Sequence, residues 1–496
     1  MKKMVSLFLA LIMVLSMMSF AVAEEPFVLT VMLPDFYSTE DFQTEGNPVL
    51  EAIEAATGVK LQINFVANST YGDAINTTLA DKNQPMVIAL TDARGASIID
   101  SARAGAFWDL TDYITDAENY PYLAAGSEGV YHNISVDGHV YGIYRSRAYP
   151  RAGIYYRSDI AKEMGIEKEP ETIEELTALA EALASYSDDT YALNMCSYTD
   201  GTIYLITCAF GAPQNWGIDE NGDIYPAHKS PAYLEGLNWL RHLYEIGGID
   251  PNFATIDSTN WDNIERTGKA FMRFDCLDNA YRQQEWFETN EGVTDQIFEI
   301  IGGLKKEDGS ITIWPQNPGF SGEIVVTKAV SEADLPKVLK VLDWCKGPEG
   351  QMLLNWGIED VTYWLDADGY RLAAPESGED VTAQIHLIQH SLNQLGMNVP
   401  GDLCIPQKLT PLRDEYNKIN EEYAQYAVTD PCYPLISETN VAFGTVLKQI
   451  ISDAAVQYIA GLIDEDTLRA AWQQWEEEGG ALMTEEYNAA YHASLN

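Results

Sequence analysis

Between Phe27 and Phe65 the sequence runs strand, helix, strand, and that order constrains the fold more than any other feature. Phe27-Val28-Leu29-Thr30-Val31-Met32-Leu33 is apolar and partly β-branched, as a buried strand is, and Pro34 is expected to end it. Asn47-Pro48 offers an N-cap followed by proline at the first helical position. Val49 to Ala56 is helical in character, and Gly58 supplies the C-cap. Val59, Leu61, Ile63 and Phe65 then alternate with Lys60, Gln62 and Asn64, the period of a half-buried strand. A strand joined to the next through a helix implies a parallel pair with a right-handed crossover, so an α/β fold is expected. Met86 to Leu90 adds another buried strand.

A second group begins near Gly153. Ile154-Tyr155-Tyr156 reads as a strand, and Thr172-Ile173-Glu174-Glu175 as a capping box. Leu176, Leu179, Ala180 and Leu183 follow at helical spacing. Asp219 to Asp223 is a turn leading into Ile224-Tyr225, and Tyr233 to Tyr244 is an amphipathic helix. Strand character returns at Glu323 to Thr327, and Ser331 to Asp334 opens a further helix. Near the end, Val441 to Ile459, Thr467 to Trp475 and Glu485 to His492 read as helices. At 496 residues the chain exceeds what one core usually holds. A chain that builds one region, crosses an extended stretch at Tyr141 to Arg151, builds a second and returns at Val325 makes two hinged lobes with a cleft between them.

Lys2 and Lys3, the apolar run Val5 to Phe20 and the small residues Ala21-Val22-Ala23 read as a secretory signal peptide over residues 1–23, cleaved near Ala23. No cysteine precedes Cys196, so a lipobox cysteine and a lipid anchor are not expected, and the mature chain is placed outside the cytoplasm. Asp plus Glu number 75 against 30 Lys plus Arg, and a net charge of -45 repels phosphate backbones, which argues against a nucleic-acid partner. None of the six cysteines forms a CxxC pair. Free buried thiols are expected, with one bridge such as Cys196–Cys208 as the alternative.

HExxH, GxSxG, Walker and GxGxxG signatures are all missing from the sequence, so a binding protein is expected and an enzyme is not. An exported glycan-acting enzyme or a carbohydrate-adhesion module stands as the alternative. His386 and His390 share a helical face but lack a third metal ligand. Asp219, Asn221 and Asp223 copy the first three positions of a calcium loop, but Ile224 stands where the loop needs glycine. A plain turn is the expected reading there; no cofactor is expected, with calcium as the alternative.

The sequence resembles the family 1 extracellular solute-binding proteins of ABC transporters, in particular the large members for oligosaccharide or aldouronate uptake. The resemblance is carried by Asn47-Pro48-Val49-Leu50 through Thr57-Gly58-Val59, by Asp137-Gly138-His139-Val140-Tyr141-Gly142-Ile143, and by Tyr156-Arg157-Ser158-Asp159 with Met164-Gly165-Ile166. Gly268 to Met272 and Leu342-Asp343-Trp344-Cys345-Lys346-Gly347-Pro348-Glu349-Gly350-Gln351 extend it. So do Asn355 to Glu359, the Asp366 to Gly369 turn, and Glu478-Gly479-Gly480 with Glu485 to Tyr491.

The resemblance implies a type II, two-lobe hinged periplasmic-binding fold with a helical C-terminal region. The expected division is 24–145 for lobe one, 146–318 for lobe two, 319–385 for the return to lobe one, and 386–496 packing on lobe two and the hinge. It also implies a monomer that captures a sugar, possibly an acidic one, and delivers it to the permease subunits of a transporter. Ligands of such sheets meet the carboxyl ends of strands and the crossovers between lobes. The candidate ligand-binding residues are therefore Tyr37, Asp92, Arg145, Arg147, Tyr149, Trp216, Trp261, Arg273, Asp275 and Trp314. Arg145 and Arg147 together would suit a carboxylate, and the tryptophans would suit sugar rings.

Overall fold

The computed structural model describes residues 27–35, 46–147, 151–305, 309, 311–312, 315, 317–373, 381–397, 404 and 406–495. The signal segment 1–23 and the candidates Tyr37, Tyr149 and Trp314 lie outside the described residues, as do the side chains of His386 and His390.

Strands β1 (Phe27–Asp35), β2 (Val59–Ala67), β3 (Val87–Leu90) and β4 (Gly142–Ser146) belong to a first sheet. The chain then builds β5 (Ala152–Arg157) and β6 (Tyr191–Leu193), a hairpin of β7 (Trp216–Ile218) and β8 (Ile224–Pro226), and then β9 (Ala270–Cys276) and β10 (Phe298–Ile301). A short pair, β11 (Leu304–Lys305) and β12 (Ile311–Thr312), precedes β13 (Phe320–Val326), which re-enters the first sheet. A hairpin of β14 (Tyr363–Leu365) and β15 (Arg371–Ala373) follows. The first sheet has the order β2-β1-β3-β13-β4 and the second β10-β5-β9-β6.

The expected helix is bounded as the sequence implies. It spans Pro48–Thr57, the Asn47 side chain accepts from the Val49 amide at 2.9 Å, and Gly58 adopts φ 70°. The strand before it is longer than expected. β1 continues through Pro34 to Asp35 and pairs with β2 throughout. β3 pairs with β1 only at Val31 and Met32, so past that point β1 is an edge on one side and tolerates the missing N–H. The sheets are also less parallel than the helix-linked pattern implies. β1, β2 and β3 are mutually parallel, but β13 runs antiparallel to both β3 and β4. In the second sheet only β6 and β9 are parallel. β5 enters from the crossover between lobes and not from a helix, so nothing forces it parallel to its neighbours.

Both faces of the first sheet are covered. One packs Leu29, Val31, Leu33, Ile324 and Val326 beneath the helices Pro48–Thr57, Leu335–Lys346 and Val381–Gly396. The other buries Met32, Ile88 and Val325 beneath Tyr71–Ala80 and Ala96–Arg103. The second lobe packs the helices Ile173–Ala184, Thr199–Ala209 and Pro231–Glu245 around Ile154, Leu193, Met272 and Phe274. Removal of these apolar faces from water drives both assemblies. All six cysteines are free.

The expected break at 385/386 falls inside one helix. Val381–Gly396 buries Leu392 and Leu395 in the first-lobe core, so it belongs to that lobe. Its end is held by Lys346, whose Nζ donates to the Met397 carbonyl at 2.7 Å and to the Tyr144 carbonyl at 3.0 Å. The later helix Glu438–Ile459 touches both lobes. Glu438 pairs with Arg103 on the first lobe, while Asp200 of the second accepts from Ser452 at 2.6 Å and pairs with Lys448 at 2.9 Å.

β13 can enter between β3 and β4 only because Gly322 adopts φ 81° and carries no Cβ, which would collide with the Leu90 carbonyl. We predict that Gly322→Ala lowers stability by at least about 2 kcal/mol. Gly369→Ala, at φ 82° with open space around it, should cost only about 1 kcal/mol. Equilibrium urea unfolding of both variants distinguishes collision from backbone strain, and equal losses would refute the collision.

Candidate ligand-binding cleft

The cleft is defined by which strand ends meet at the crossovers. β4 ends at Ser146, and β5 begins at Ala152 opposite Cys276, the last residue of β9. Phe320, at the start of β13, pairs with Ser146. The ends of β3, β4 and β9, the beginnings of β5 and β13, and the end of β6 beside β9 therefore all face the junction.

On the first lobe Asp92 follows β3, is exposed, and accepts from the Arg94 amide at 2.8 Å. The Arg94 guanidinium donates to the Ser135 carbonyl at 2.6 Å and to the Leu435 carbonyl at 2.7 Å, tying the C-terminal region to this lobe. Beside them Glu323 is buried against Gly142, whose lack of a side chain leaves room for the carboxyl group. Burial, with a smaller push from Asp92 and an opposing pull from Arg94, raises the Glu323 pKa to about 8.

Arg145 and Arg147 turn to different partners instead of forming a carboxylate clamp. Arg145 is buried beneath the helix Val381–Gly396, donating to Gln394 and, at 3.4 Å, to the Leu90 carbonyl. Arg147 lies in the crossover, donating to the Ser146 carbonyl at 3.1 Å and contacting the Met397 sulfur. Burial lowers both to about 10, with further repulsion from Arg147 on Arg145 and from Arg151 on Arg147.

The second lobe brings three candidates together. Arg273, on β9, lies with its guanidinium carbon 3.7 Å from the centre of the Trp261 ring, and it pairs with Asp262 at 2.6 Å and Asp275 at 2.8 Å. Asn279 donates to Asp275 at 2.7 Å. Glu265 lies beneath, accepting from Tyr155 at 2.8 Å and from Asn194 at 2.7 Å, and burial raises its pKa. Trp261 is buried at the start of the helix Trp261–Arg266, with its indole N–H donating to the Asn194 carbonyl, so its ring packs under Arg273 instead of standing open to a ligand. Trp216 lies apart from this group, in the β7–β8 hairpin, with Trp475 and Tyr487 against it. In the Asp219 turn the carboxylate accepts from the Asn221 and Asp223 amides, and Asp223 pairs with His492.

Tyr198 was not among the sequence candidates. It lies edge-on to Trp261 and is 51% exposed, yet surrounding protein raises its hydroxyl pKa to about 12, with Asp275 and Cys276 adding to the rise. Its ring rests on Gly201, where a Cβ would collide with it. It follows β6, so the strand-end rule applies to it, but a three-residue strand leaves no readable period in the sequence.

A model of the bacterial extracellular solute-binding protein family matches residues 38–352, and the chain belongs to that family. Its two lobes are those of the type II fold. The chain is 31% identical over 465 residues to lipoprotein LipO of Bacillus subtilis (strain 168), covering 91% of this chain and 90% of LipO. It is 27% identical over 459 residues to the polygalacturonan/rhamnogalacturonan-binding protein YtcQ of the same organism, covering 89% and 87%. Among solved structures, alginate-binding protein AlgQ2 without calcium ion aligns with TM-score 0.72 at 18% identity, covering 95% of this chain and 98% of AlgQ2. FusA of S. pneumoniae in complex with kestose gives TM-score 0.68 at 16% identity, covering 94% and 99%.

Two predictions follow from the walls of the cleft. Arg273→Met leaves Asp275 and the buried Glu265 without their cation and Asp262 with Arg266 alone, at 3.5 Å, and it should cost about 3 kcal/mol in urea unfolding at pH 7. A loss below about 0.5 kcal/mol would show that the pairing contributes little. Glu323 keeps its proton in the folded chain above the pH at which the unfolded chain loses it. The folded state then binds more protons, so stability falls as pH rises from 4.5 towards 8, by up to about 1.4 kcal/mol for each pH unit. Thermal unfolding across that range should show the decline, and Glu323→Gln should make it shallower, the remainder coming from Asp430 and Glu415, which burial also raises.

Proposed function

We propose that the chain is the extracytoplasmic binding subunit of an ABC importer, capturing an oligosaccharide between the two lobes and passing it to the membrane permease. The observation that carries this reading is Tyr198: a half-exposed aromatic ring at the junction, edge-on to Trp261, near enough to Asp275 to feel its charge, with Asn279 bonded to that carboxylate. A sugar ring presents an apolar face and a rim of hydroxyls, and a tyrosine beside carboxylate and amide groups complements both. Closure about the crossovers removes water from these contacts. Relatives support the sugar class: YtcQ is named for polygalacturonan and rhamnogalacturonan, AlgQ2 for alginate, and FusA was solved with kestose. The protein acts by binding and release, without bond cleavage. It works as a monomer outside the cytoplasm.

The test is a thermal-shift and calorimetry panel of kestose, an alginate trisaccharide and a galacturonan trisaccharide, with chromatography of each sugar afterwards. At least one should stabilise the chain, by about 2.7 kcal/mol at a hundredfold excess over Kd, and be recovered intact. Tyr198→Ala should leave the free protein's stability within about 0.5 kcal/mol and weaken binding about tenfold. A cleaved sugar, or a panel without any shift, would overturn the reading.

A further inference from the structure

A second concavity lies beyond the far end of the helix that starts at Tyr198. It is a cavity of about 460 Å³ lined by Cys208, Gly211, Ala212, Pro213, Gly217, Ile218, Tyr225, Val428, Thr429 and Pro431. That volume is within the roughly 300–1,000 Å³ of small-molecule sites. The helix Thr199–Ala209 runs from the junction to this cavity. Tyr204, midway along it, is raised well above its ordinary pKa by burial and then by Tyr198, Cys276, Tyr433 and Cys208, so it lies between the two regions.

The cavity is built from the absence of side chains on one wall and the presence of a ring on the other. A Cβ at Gly217 would sit 2.7 Å from Pro213 and 3.1 Å from the Tyr225 ring, so only glycine lets these two flank it. Gly211, at φ 106°, turns the chain out of the helix there. Opposite them runs the segment Val428–Pro431, which is anchored to both lobes. Val428 bridges to Pro315, Asp430 accepts from Asn215 at 3.2 Å, and Gln214 donates to Tyr433 at 3.0 Å. Five residues past Asp430, the Leu435 carbonyl is held by Arg94 of the first lobe.

In a chain of net charge -45, none of the described lining residues is Asp, Glu, Lys, Arg or His. Asp430, within the Val428–Pro431 segment, has its pKa raised to about 7 by burial, and the Asp219 carboxylate acts on Tyr225 from the hairpin turn. The Tyr225 ring, exposed backbone at Gly211 and the absence of a cation among the described lining residues make a site for an uncharged ring, and a poor one for a carboxylate.

We infer that this cavity is a subsite for one neutral sugar unit, and that it rejects uronate units. The inference rests on the carbohydrate reading above and adds where one unit sits and which charge it carries. An occupant would touch the Val428–Pro431 segment that joins the lobes, so filling the cavity would favour one interlobe arrangement over others.

The experiment is methyl NMR of the full chain titrated with D-galactose, D-glucose and D-galacturonate, following Ile218, Val428 and Thr429. At least one neutral hexose should shift these methyls saturably, with galacturonate at least tenfold weaker. Ile218→Trp, placed where residue 218 is exposed, should weaken the hexose response at Val428 and Thr429 at least tenfold. Tyr225→Ala should do the same, and it serves if the tryptophan variant does not fold. The inference fails if galacturonate matches the hexoses, if both variants leave the response unchanged, or if these methyls do not move. If kestose or a trisaccharide binds the wild type and depends on Tyr198 while the cavity methyls stay still, the transport reading stands and only the subsite falls. If no sugar acts at either place, both fall.

Discussion

The structure depends on β13 closing the first sheet after the chain has built a second lobe. A strand that leaves and returns forces at least two crossovers at one edge, and those crossovers bring the ends of β3, β4 and β9 to a common junction. The fit is narrow. Gly322 must yield its Cβ to the Leu90 carbonyl, and Gly142 must leave room for the Glu323 carboxyl. These two absent side chains are what permit a central antiparallel strand in an otherwise parallel set.

The two walls of the junction have different electrostatic characters. On the second-lobe wall the Arg273 and Arg266 guanidinia both reach Asp262, and Arg273 also pairs with Asp275 above the buried Glu265, whose proton burial favours. On the first lobe Arg145 is spent on Gln394 and the Leu90 carbonyl within its own lobe. The sequence argument for an acidic ligand rested on the closeness of Arg145 and Arg147 in the chain. On a strand, residues two apart share a face, but Arg147 lies past the end of β4 and follows the crossover instead.

What could be read from the sequence was local. Asn47, Pro48 and Gly58 fix a helix because a cap, a preset φ and a left-handed residue act within a few positions. Thr172 and Ser331 mark helix starts for the same reason: each hydroxyl accepts from an amide three residues on. The return of Val325 to the first sheet was also legible, because an apolar β-branched run after a long polar detour needs a core to join. What could not be read was long-range. The pairing of β10 with β5, the docking of Val381–Gly396 on the first lobe, and the burial of Trp261 beneath Arg273 depend on partners distant in sequence. Tyr198 and the Cys208 cavity gave no local signal; their character comes from what the fold places around them.

The helix Glu438–Ile459 is fastened near one end by Arg103, and farther along by Asp200 and by the Tyr458–Asn238 hydrogen bond at 2.6 Å. A rigid rod pinned to two bodies fixes the separation of its pins while leaving the bodies free to pivot. Drawing the lobes apart must break a pin at one end of that rod, whereas a change of their angle need not. The helical tail acts mechanically as a linkage that resists translation more than rotation.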